Sequence, residues 1–558
     1  MRIAIAQLNY VIGDFGKNVQ QIISTIQKAK ADRADLIVFA ELCVCGYPPR
    51  DFLEFADFNQ RCLSAAEEIA KECKGIQAII GLPLVNPVLE GKGLFNSACL
   101  LSEGKILATV HKSLLPNYDI FDEYRYFEPG RSFPLITVNG VKIALTVCED
   151  LWNVEDDPMY VSCPMDELIK EQPQLMINIA ASPFDYAHAE KRLEILLRNV
   201  RKYNLPLVYV NHVGAQTELI FDGGSLGISK SGDIIKEMNY FVDDYALVEF
   251  DTFKSDLTSS EKIKPHHLIT QANPLAEHIK ISRIHHALVL GIRDYFSKLE
   301  FTEAILGLSG GIDSAVVTYL AMEALGKDHV KVLLMPSMHS SAGSVDDSIA
   351  LIRQLGIKYE TIPIAPIYEQ YVNALQSSFA GKTEDVTEEN LQARIRGALL
   401  MAESNKFKSI LLNTSNKSEI AVGYGTLYGD MCGGLSVIGD LYKTEVFELA
   451  RYINREKEII PEAIISKAPS AELRPNQKDS DSLPDYEVLD PILFQYIENR
   501  QGPDELIRIG FDKAMVERVL KMVNTNEYKR YQTPPILRVS LKAFGMGRRL
   551  PIVGKYLS

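Results

Sequence analysis

Residues 305–317 read Ile-Leu-Gly-Leu-Ser-Gly-Gly-Ile-Asp-Ser-Ala-Val-Val, and this stretch decides the fold of the second half of the chain. Its short apolar residues predict a buried strand that breaks at residues 309–311 and is followed by a helix ending near Leu325. The two glycines allow a tight turn whose backbone N–H groups face one point. The N-terminus of the helix adds partial positive charge there. The stretch therefore predicts an anion-binding loop between a strand and a helix.

The side chains of this loop indicate which kind of anion it binds. Asp313 and Ser314 are candidates to cap the helix, and Ser309 and Ser314 carry hydroxyl donors. The Gly-Lys-Ser/Thr ending of P-loop kinases and GTPases is missing, so the loop is a different phosphate cradle. A capped strand–turn–helix without a ligand is the plainer interpretation, which a bare Ser-Gly-Gly would favour. The full string SGGIDS, in register with strand and helix, resembles the pyrophosphate-binding loop of the ATP pyrophosphatases, which cleave ATP between its α and β phosphates.

This resemblance implies that ATP is bound as a co-substrate by the strand end, the loop and the first helical turn, together with one residue of a later strand end. These residues are Gly307, Leu308, Ser309, Gly310, Gly311, Ile312, Asp313, Ser314 and Thr414.

Composition and charge exclude several classes of protein. The 558 residues are 46% hydrophobic, which is ample for large cores. A net charge of −14 without a basic block argues against nucleic acid as a partner. No apolar run approaches the roughly 18 residues of a membrane span, and residues 1–9 resemble a strand rather than a signal peptide. We therefore expect a cytoplasmic protein that binds neither nucleic acid nor a membrane.

Three polar residues end hydrophobic strand candidates in the first half of the chain. Glu41 follows five apolar residues, Lys112 ends the next extended segment, and Cys148 ends another strand. Side chains at the ends of separate strands can converge on one pocket. A carboxylate near a thiol can act as its base, and a neighbouring ammonium favours the thiolate and stabilises an oxyanion. Taken singly, each residue is more typical of an ordinary position: a buried thiol, or a solvated charge.

Together, Glu41, Lys112 and Cys148 and their surrounding sequence resemble the nitrilase superfamily, over roughly residues 1–250. That family hydrolyses amides and nitriles with a Glu-Lys-Cys triad in this chain order, on an α-β-β-α sandwich. The resemblance therefore implies that these three residues are catalytic.

The resemblance extends to residues that contact glutamine in the glutaminase branch of the superfamily. It implies such contacts for Tyr118, Glu149 and Ser182. The position six residues after Ser182 is commonly Lys or Arg in that branch, whereas this chain has His188. We expect His188 to lie in the glutamine site, with Arg192 as the alternative partner for the α-carboxylate of glutamine.

The polar stretch 251–272 has no sustained period and is predicted to be a linker between residues 1–250 and residues 273–558. In the second part, strand candidates 330–335 and 359–362 flank a helix candidate, as in a doubly wound parallel sheet. The predicted class is thus α/β: an N-terminal α-β-β-α nitrilase sandwich, then a doubly wound parallel-sheet domain of ATP-pyrophosphatase type.

Further polar residues follow strand ends or open helices in the second part, and singly each is typical of a cap or a loop. In their order they resemble the NAD synthetase branch of the ATP pyrophosphatases. The resemblance implies contacts to deamido-NAD for Asn390, Glu419 and Lys529, to phosphate or adenylate for Lys443 and Thr444, and to Mg²⁺ for Glu419 and Asp313. The proline-containing stretch 468–486 is predicted to be a mobile loop that covers the site.

A nitrilase-type glutaminase ahead of an NAD-synthetase-like domain resembles the glutamine-dependent NAD synthetases. The resemblance implies glutamine, deamido-NAD and ATP as substrates, Mg²⁺ as cofactor, and a homo-oligomer. Two alternatives stay open at this point. One is another glutamine-dependent synthetase with SGGxDS, which makes GMP or asparagine. The other is a nucleotide-binding regulator with an inactive amidase domain.

Overall fold

The computed structural model describes residues 1–88, 90–258 and 279–557. They belong to two compact units that divide at residue 276. Residues 256–258 of the predicted linker form a strand of the first unit, and residues 259–272 lie outside the described residues. No helix in the described part of the chain is long and apolar enough to cross a membrane.

The first unit is built mainly of strands. They are β1 (Arg2–Gln7), β2 (Leu36–Val38), β3 (Gln77–Val85), β4 (Leu94–Ser102), β5 (Lys105–His111), β6 (Ile136–Val138), β7 (Val141–Val147), β8 (Leu175–Ala180), β9 (Leu207–Asn211), β10 (Val213–Gln216), β11 (Leu219–Asp222), β12 (Leu226–Ile228), β13 (Ile234–Glu237), β14 (Asp244–Asp251) and β15 (Asp256–Thr258). Its helices are α1 (Phe15–Ala31), α2 (Ala56–Glu72), α3 (Pro164–Leu168) and α4 (His188–Tyr203).

Two large sheets face each other in this unit. One has the order β15-β14-β1-β2-β3-β4-β5 and the other β13-β12-β9-β8-β7-β6. Alternation along β1 shows why both faces are covered. Ile3 and Ile5 pack into the core shared with the other sheet, while Ala4 and Ala6 pack into the core that contains helices α1 and α2. Residues of α4 belong to the core of the second sheet. The predicted α-β-β-α sandwich is confirmed.

Parallel pairing brings the functional strand ends to the same edge of each sheet. Strands β1, β2 and β3 are parallel neighbours, as are β7, β8 and β9. Glu41 follows β2, Cys148 directly follows β7, and Ser182 follows β8. The backbone N–H of Ala181 donates to Oε2 of Glu41 over 2.9 Å, so the ends of β2 and β8 meet across the two sheets.

The second unit combines a smaller sheet with many helices. Its strands are β16 (Ala304–Gly307), β17 (Val330–Leu334), β18 (Lys358–Thr361), β19 (Ile410–Asn413) and β20 (Leu435–Ser436). Its helices are α5 (Ile279–Lys298), α6 (Ile312–Leu325), α7 (Ala342–Leu355), α8 (Ala365–Leu375), α9 (Val386–Phe407), α10 (Lys417–Val422), α11 (Lys443–Ile453), α12 (Glu462–Ser466), α13 (Tyr486–Ile497), α14 (Pro503–Arg508), α15 (Lys513–Thr525) and α16 (Glu527–Arg530).

All five strands of this sheet are parallel, in the order β18-β17-β16-β19-β20. Helix α9 packs onto the sheet through Ile395 and Leu400, which meet Ile305 and Leu333. Helix α6 contacts β16 and β17 and packs with α5 and α11. The chain first proceeds outward from β16 to β18 and then continues on the other side with β19. This reversal creates a switch point between β16 and β19, where doubly wound sheets bind ligands. The predicted doubly wound parallel sheet is confirmed.

Gly81 on β3 shows how closely the first sheet supports the Glu41 segment. A Cβ atom at Gly81 would lie 2.3 Å from the backbone N of Leu42 and 2.8 Å from the carbonyl C of Glu41. Such contacts force backbone to move rather than a flexible side chain. The absence of a side chain at Gly81 therefore lets β3 pass directly beside Glu41.

We predict that Gly81→Ala destabilises the protein by about 3 kcal/mol, because an added methyl group in a close-packed core displaces backbone. Urea unfolding of the full chain measures the shift in midpoint. Gly93→Ala is the matched control, since a Cβ there meets nothing within 4 Å. Equal midpoints for the two variants would contradict this view of β3.

Candidate functional site

The Lys112 ammonium is fully buried in the first unit between two carboxylates. Its Nζ lies 2.7 Å from Oε1 of Glu41 and 2.8 Å from Oε1 of Glu123. Burial lowers the pKa of Lys112, but the attraction of Glu123 and Glu41 outweighs it and holds this pKa well above the usual value. Burial raises the pKa of Glu123 to about 7, although Lys112 opposes the rise. Lys112 is therefore a permanent cation at a fixed position.

Glu41 is completely buried and held by both of its carboxylate oxygens. The side-chain amide of Asn96 donates to Oε1 over 2.7 Å, alongside Lys112, while Oε2 accepts the backbone N–H of Ala181. Bonds to a carboxylate from several donors fix its rotamer. Glu41 is thus held in one position inside the protein.

Cys148 occupies the first position after β7, in a left-handed conformation with φ +44°. A non-glycine residue in this region is strained, and such strain is common at functional positions. Burial holds the pKa of the Cys148 thiol well above its ordinary value; Glu41 raises it further, and Lys112 lowers it. The thiol is consequently protonated at rest and needs a base before it can act as a nucleophile. Glu41 and Lys112 are both close enough to influence it electrostatically.

The Asp150 carboxylate connects the Cys148 turn to the segment after Lys112. Its Oδ1 accepts the backbone N–H groups of Ser113 and Leu114, each over 2.9 Å, and its Oδ2 accepts that of Val147 over 3.1 Å. Asp150 therefore fixes the distance between the nucleophile and the buried ammonium.

The predicted glutamine-contacting residues form two pairs beside this centre. Oε1 of Glu149 accepts the Tyr118 hydroxyl over 2.9 Å, and burial raises the pKa of Glu149. Ser182 Oγ lies 2.8 Å from Nε2 of His188. The first pair presents a carboxylate next to the nucleophile, and the second presents a hydroxyl and an imidazole.

The surroundings of His188 and Arg192 decide between the two candidates for the α-carboxylate of glutamine. His188 stacks on Trp152 with ring centroids 5.1 Å apart, and its Nδ1 lies 3.7 Å from Asp185. Arg192 is buried and forms two bonds of 2.9 Å to the carboxylate of Asp222. The alternative role expected for Arg192 is therefore wrong, because Asp222 already occupies the fork of its guanidinium.

The loop after β16 leaves the N-terminus of α6 open. Gly310 has φ +81°, and a Cβ there would lie 2.4 Å from the carbonyl oxygen of Ser344. The N-cap of α6 is Gly311, whose backbone N–H donates to Ser309 Oγ over 3.2 Å. Ser314 Oγ donates to the carbonyl of Gly311 over 3.0 Å. The prediction that Asp313 or Ser314 caps the helix is wrong, because the N-cap is a glycine without a side-chain bond.

Asp313 instead faces a buried lysine of α11. Lys443 Nζ lies 2.5 Å from Oδ2 of Asp313 and 3.4 Å from Oε1 of Glu419. Burial lowers the pKa of Lys443, but the two carboxylates outweigh it and raise this pKa above its ordinary value. Burial raises the pKa of Glu419 to about 8. The side-chain amide of Asn416 donates to Oδ1 of Asp313 over 3.0 Å and completes the cluster.

A cavity opens at the switch point of the second sheet, lined by the loop 307–314 with the exception of Gly310. Thr414, Glu419 and Lys443 line it as well. The cavity therefore unites the predicted anion loop with the residues after β19 and at the start of α11.

Three predicted residues of the second unit have other contacts and do not line this cavity. The hydroxyl and the backbone N–H of Thr444 both donate to Asp490, each over 2.9 Å. Asn390 Oδ1 accepts the Thr426 hydroxyl over 2.6 Å. Lys529 Nζ donates to two backbone carbonyls of the segment 423–425. Asn390 and Lys529 support the loop after α10, and Thr444 is bonded to α13.

The predicted covering loop contributes directly to the cavity. Residues 467–473 and Asp479 are part of its lining. The Glu472 carboxylate accepts the Ser344 hydroxyl over 2.6 Å and forms an ion pair of 3.0 Å with Lys467. The segment 467–473 is thereby bonded to the start of α7.

The donor set of the second cavity suits a metal that is bound mainly through phosphates. Within the described residues there is no group of three or more His, Cys, Asp or Glu arranged to hold a metal ion. Asp313 and Glu419 nevertheless both contact Lys443 and line the cavity. Hard oxygen ligands in this small number fit Mg²⁺, which uses one or two carboxylates together with substrate phosphates.

Sequence reasoning missed Glu123, the second carboxylate on Lys112. It lies 11 residues after Lys112 in a segment rich in Asp, Tyr and Phe that has no regular period. Such a segment is typical of a solvated loop, and nothing in its composition marks one glutamate as buried. The role of Tyr160, described below, was missed for the same reason. Asn96 lies on β4, and nothing in the strand pattern indicates that its side chain contacts Glu41.

Comparisons with known proteins agree with the geometry of both units. The family model Carbon-nitrogen hydrolase matches residues 2–254, and the model NAD synthase matches residues 284–533. A glutamine-dependent NAD(+) synthetase of Synechocystis sp. is 43% identical over 557 residues, covering 99% of this chain and 98% of that protein. One from Thermotoga maritima is 38% identical over 580 residues, covering 100% and 99%. The solved structure of a glutamine-dependent NAD+ synthetase from Acinetobacter baumannii with ADP matches with TM-score 0.77 and 37% identity, covering 100% and 99%.

The buried charges of the first site generate a prediction for stability. Lys112→Met leaves the carboxylates of Glu41 and Glu123 without their shared cation. We therefore expect the free energy of unfolding to fall by about 3–5 kcal/mol at pH 8. The pKa of Glu123, already about 7, then rises further, since Lys112 lowers it. A buried carboxyl whose pKa is raised by folding destabilises the folded protein increasingly as the pH rises through that pKa. The difference in unfolding free energy between Lys112→Met and the unsubstituted protein therefore becomes smaller towards pH 6.

Urea unfolding at several pH values measures this deficit. Lys170→Met is the matched control, because Lys170 pairs with Glu167 at the surface and such exposed pairs contribute little. A deficit for Lys112→Met that does not change with pH would contradict the shared-cation arrangement.

Proposed function

Since the chain belongs to the glutamine-dependent NAD(+) synthetases, we propose that its two sites divide the synthesis of NAD between them. The chain converts deamido-NAD to NAD with ATP and with ammonia released from glutamine; AMP, pyrophosphate and glutamate are the other products. The single observation that carries this conclusion is the full-length similarity to such synthetases at 43% identity. It rules out the alternatives of a GMP or asparagine synthetase.

In the first unit, the thiol of Cys148 attacks the carboxamide carbon of glutamine and transfers its proton to Glu41. The Lys112 ammonium stabilises the oxyanion that develops on the carboxamide oxygen. The proton held by Glu41 passes to the leaving nitrogen, and ammonia departs as the thioester forms. Water then hydrolyses the thioester to glutamate, with Glu41 again as the base. The 2.7 Å contact between Lys112 and Glu41 supports these roles, because it fixes the base and the cation together.

The two pairs beside the nucleophile fit the two charged ends of glutamine. The Glu149 carboxylate suits the α-ammonium, since it is an acceptor next to Cys148. The pair of Ser182 and His188 suits the α-carboxylate, because the hydroxyl can donate to it when the imidazole Nε2–H donates to Ser182 Oγ. We assign the α-carboxylate to this pair because Arg192 is already bonded to Asp222.

In the second unit, the nicotinate carboxylate of deamido-NAD attacks the α-phosphorus of ATP, and pyrophosphate leaves. The loop 309–311 and the open N-terminus of α6 hold the pyrophosphate through backbone N–H groups. The Lys443 ammonium lies beside this loop and stabilises the negative charge that develops there. Ammonia then attacks the adenylated carboxyl and displaces AMP. Thr414 contacts ATP from the end of β19.

Three further assignments belong to this proposal. Asp313 and Glu419 hold Mg²⁺, which supplies neutralisation of the phosphate charge when bound. Glu419 also contacts deamido-NAD, and Asn390 and Lys529 shape the deamido-NAD site by supporting the loop after α10.

The chain forms a homo-oligomer in the cytoplasm.

The separate sites make the nitrogen source diagnostic. We predict that Cys148→Ala abolishes NAD formation from glutamine but retains formation from high ammonium, because the adenylation site does not use the thiol. Glu41→Gln lowers glutamine-supported turnover by about 10²–10⁴-fold, the contribution of a general base. Both rates are measured as NAD formed. Equal loss with both nitrogen donors in a folded Cys148→Ala protein would overturn the division into two sites.

The adenylation site makes the converse prediction. Lys443→Met and Asp313→Ala depress NAD formation by about 10²-fold or more with either nitrogen donor, as removal of a charge-stabilising contact does. Lys513→Met is the matched control, since Lys513 is exposed on α15. Unchanged ammonium-supported kinetics in either variant would remove that residue from the site.

A further inference from the structure

Tyr160 lies in an exposed loop, yet its phenol is directed to the glutaminase centre. The loop 153–163 connects the Cys148 turn to α3. The neighbours of Tyr160 in sequence, Met159 and Val161, are 68% and 110% exposed, whereas Tyr160 itself is half-buried. The Tyr160 side chain therefore turns into the protein between two exposed neighbours.

Asn153 fixes the backbone of Tyr160 on both sides. Its Oδ1 accepts the Tyr160 N–H over 3.1 Å, and its amide donates to the carbonyls of Tyr160 and Ser162, each over 2.8 Å. Asn153 is itself buried and stands five residues after Cys148. The loop is thus closed at its base by a side chain that is rigidly connected to the nucleophile turn.

The phenol of Tyr160 donates to Oε1 of Glu149 over 3.0 Å. The phenol of Tyr118 donates to the same oxygen over 2.9 Å. Two donors on one oxygen fix the rotation of the carboxylate and direct its other oxygen, Oε2, away from both tyrosines. A carboxylate oriented in this way is a preorganised acceptor for a cation next to Cys148.

We propose that Tyr160 is a positioning residue for substrate selection: with Tyr118 it orients the Glu149 carboxylate to accept the α-ammonium of glutamine. This inference rests on the proposed function and adds a residue to its glutamine site. Tyr160 acts through Glu149 and so influences which amide binds, rather than the chemistry at Cys148.

The charges around Glu149 provide a second readout. Burial raises the pKa of Glu149, Lys112 and the phenols of Tyr118 and Tyr160 lower it, and Glu41 raises it. Glu149 in turn raises the pKa of the Cys148 thiol. Loss of the Tyr160 phenol therefore raises the pKa of Glu149. The acid limb of kcat/KM for glutamine then moves to higher pH, because Glu149 must be ionised to bind an ammonium.

The test compares two amides in the Tyr160→Phe variant of the full chain. Glutamine carries the α-ammonium, and glutaramate is the same amide without it. We expect kcat/KM for glutamine to fall about tenfold, mainly through KM, as for loss of a bond to a charged group. The rate with high glutaramate stays within about twofold of the unsubstituted protein. The acid limb for glutamine moves to higher pH.

Tyr203→Phe is the matched control, because the Tyr203 phenol donates to a different carboxylate, that of Asp166, over 2.7 Å. It leaves the preference for glutamine over glutaramate and the acid limb unchanged. Asn153→Ala is a second variant that keeps the phenol but frees the loop, and it produces the same selective loss for glutamine as Tyr160→Phe.

The inference is overturned if Tyr160→Phe and Asn153→Ala both lose activity equally with glutamine and glutaramate and the acid limb does not move. Tyr160 would then have only a structural role. Unchanged kinetics in both loop variants would overturn the inference as well. Failure of the unsubstituted protein to release glutamate from glutamine is a different outcome, since it refutes the proposed glutaminase and the inference falls with it.

Discussion

Burial of a lysine ammonium between two carboxylates is the constraint on which both sites depend. Within the described residues, Lys112, Lys417 and Lys443 are buried, and each contacts two carboxylates. An unpaired buried charge costs far more than the few kcal/mol by which proteins are stable, so these partners must be in place whenever the chain is folded. In the first unit, this requirement brings Glu41, which follows β2, and Glu123 together at Lys112. In the second, it joins the anion loop, α10 and α11.

The same charges that are needed for folding therefore set the chemistry. Lys112 is kept as a cation and Cys148 as a neutral thiol, so nucleophile formation requires transfer of a proton to a base that is already held in position. In the second unit, Lys443 remains charged beside the open N-terminus of α6, and both features favour an anion. Lys417 is the first residue of α10, and its ion pairs with Asp440 and Glu498 hold the start of the helix that carries Glu419.

Much of this could be predicted from the sequence because it depends on local pattern. The SGGIDS string specifies a strand, a glycine turn and a helix start, and the ends of apolar strands indicated Glu41, Lys112 and Cys148. Contacts between distant segments left no such pattern. Glu123 and Tyr160 lie in polar, irregular loops, and only the folded chain shows that their side chains turn inward. Arg192 and Thr444 show the same limit, because they stand at suitable positions along the chain, but their polar groups bond to Asp222 and Asp490.

The division of the reaction between a glutaminase site and an adenylation site is tested most directly by one isotope measurement. The full-length protein is supplied with ATP, Mg²⁺, deamido-NAD and glutamine labelled with ¹⁵N in its side-chain amide, and all products are quantified together. We expect NAD labelled in its carboxamide, with glutamate, AMP and pyrophosphate formed in amounts equal to the NAD. Release of ADP and phosphate in place of AMP and pyrophosphate would contradict the role of the Ser-Gly-Gly loop. NAD formed without the label would contradict the role of Cys148.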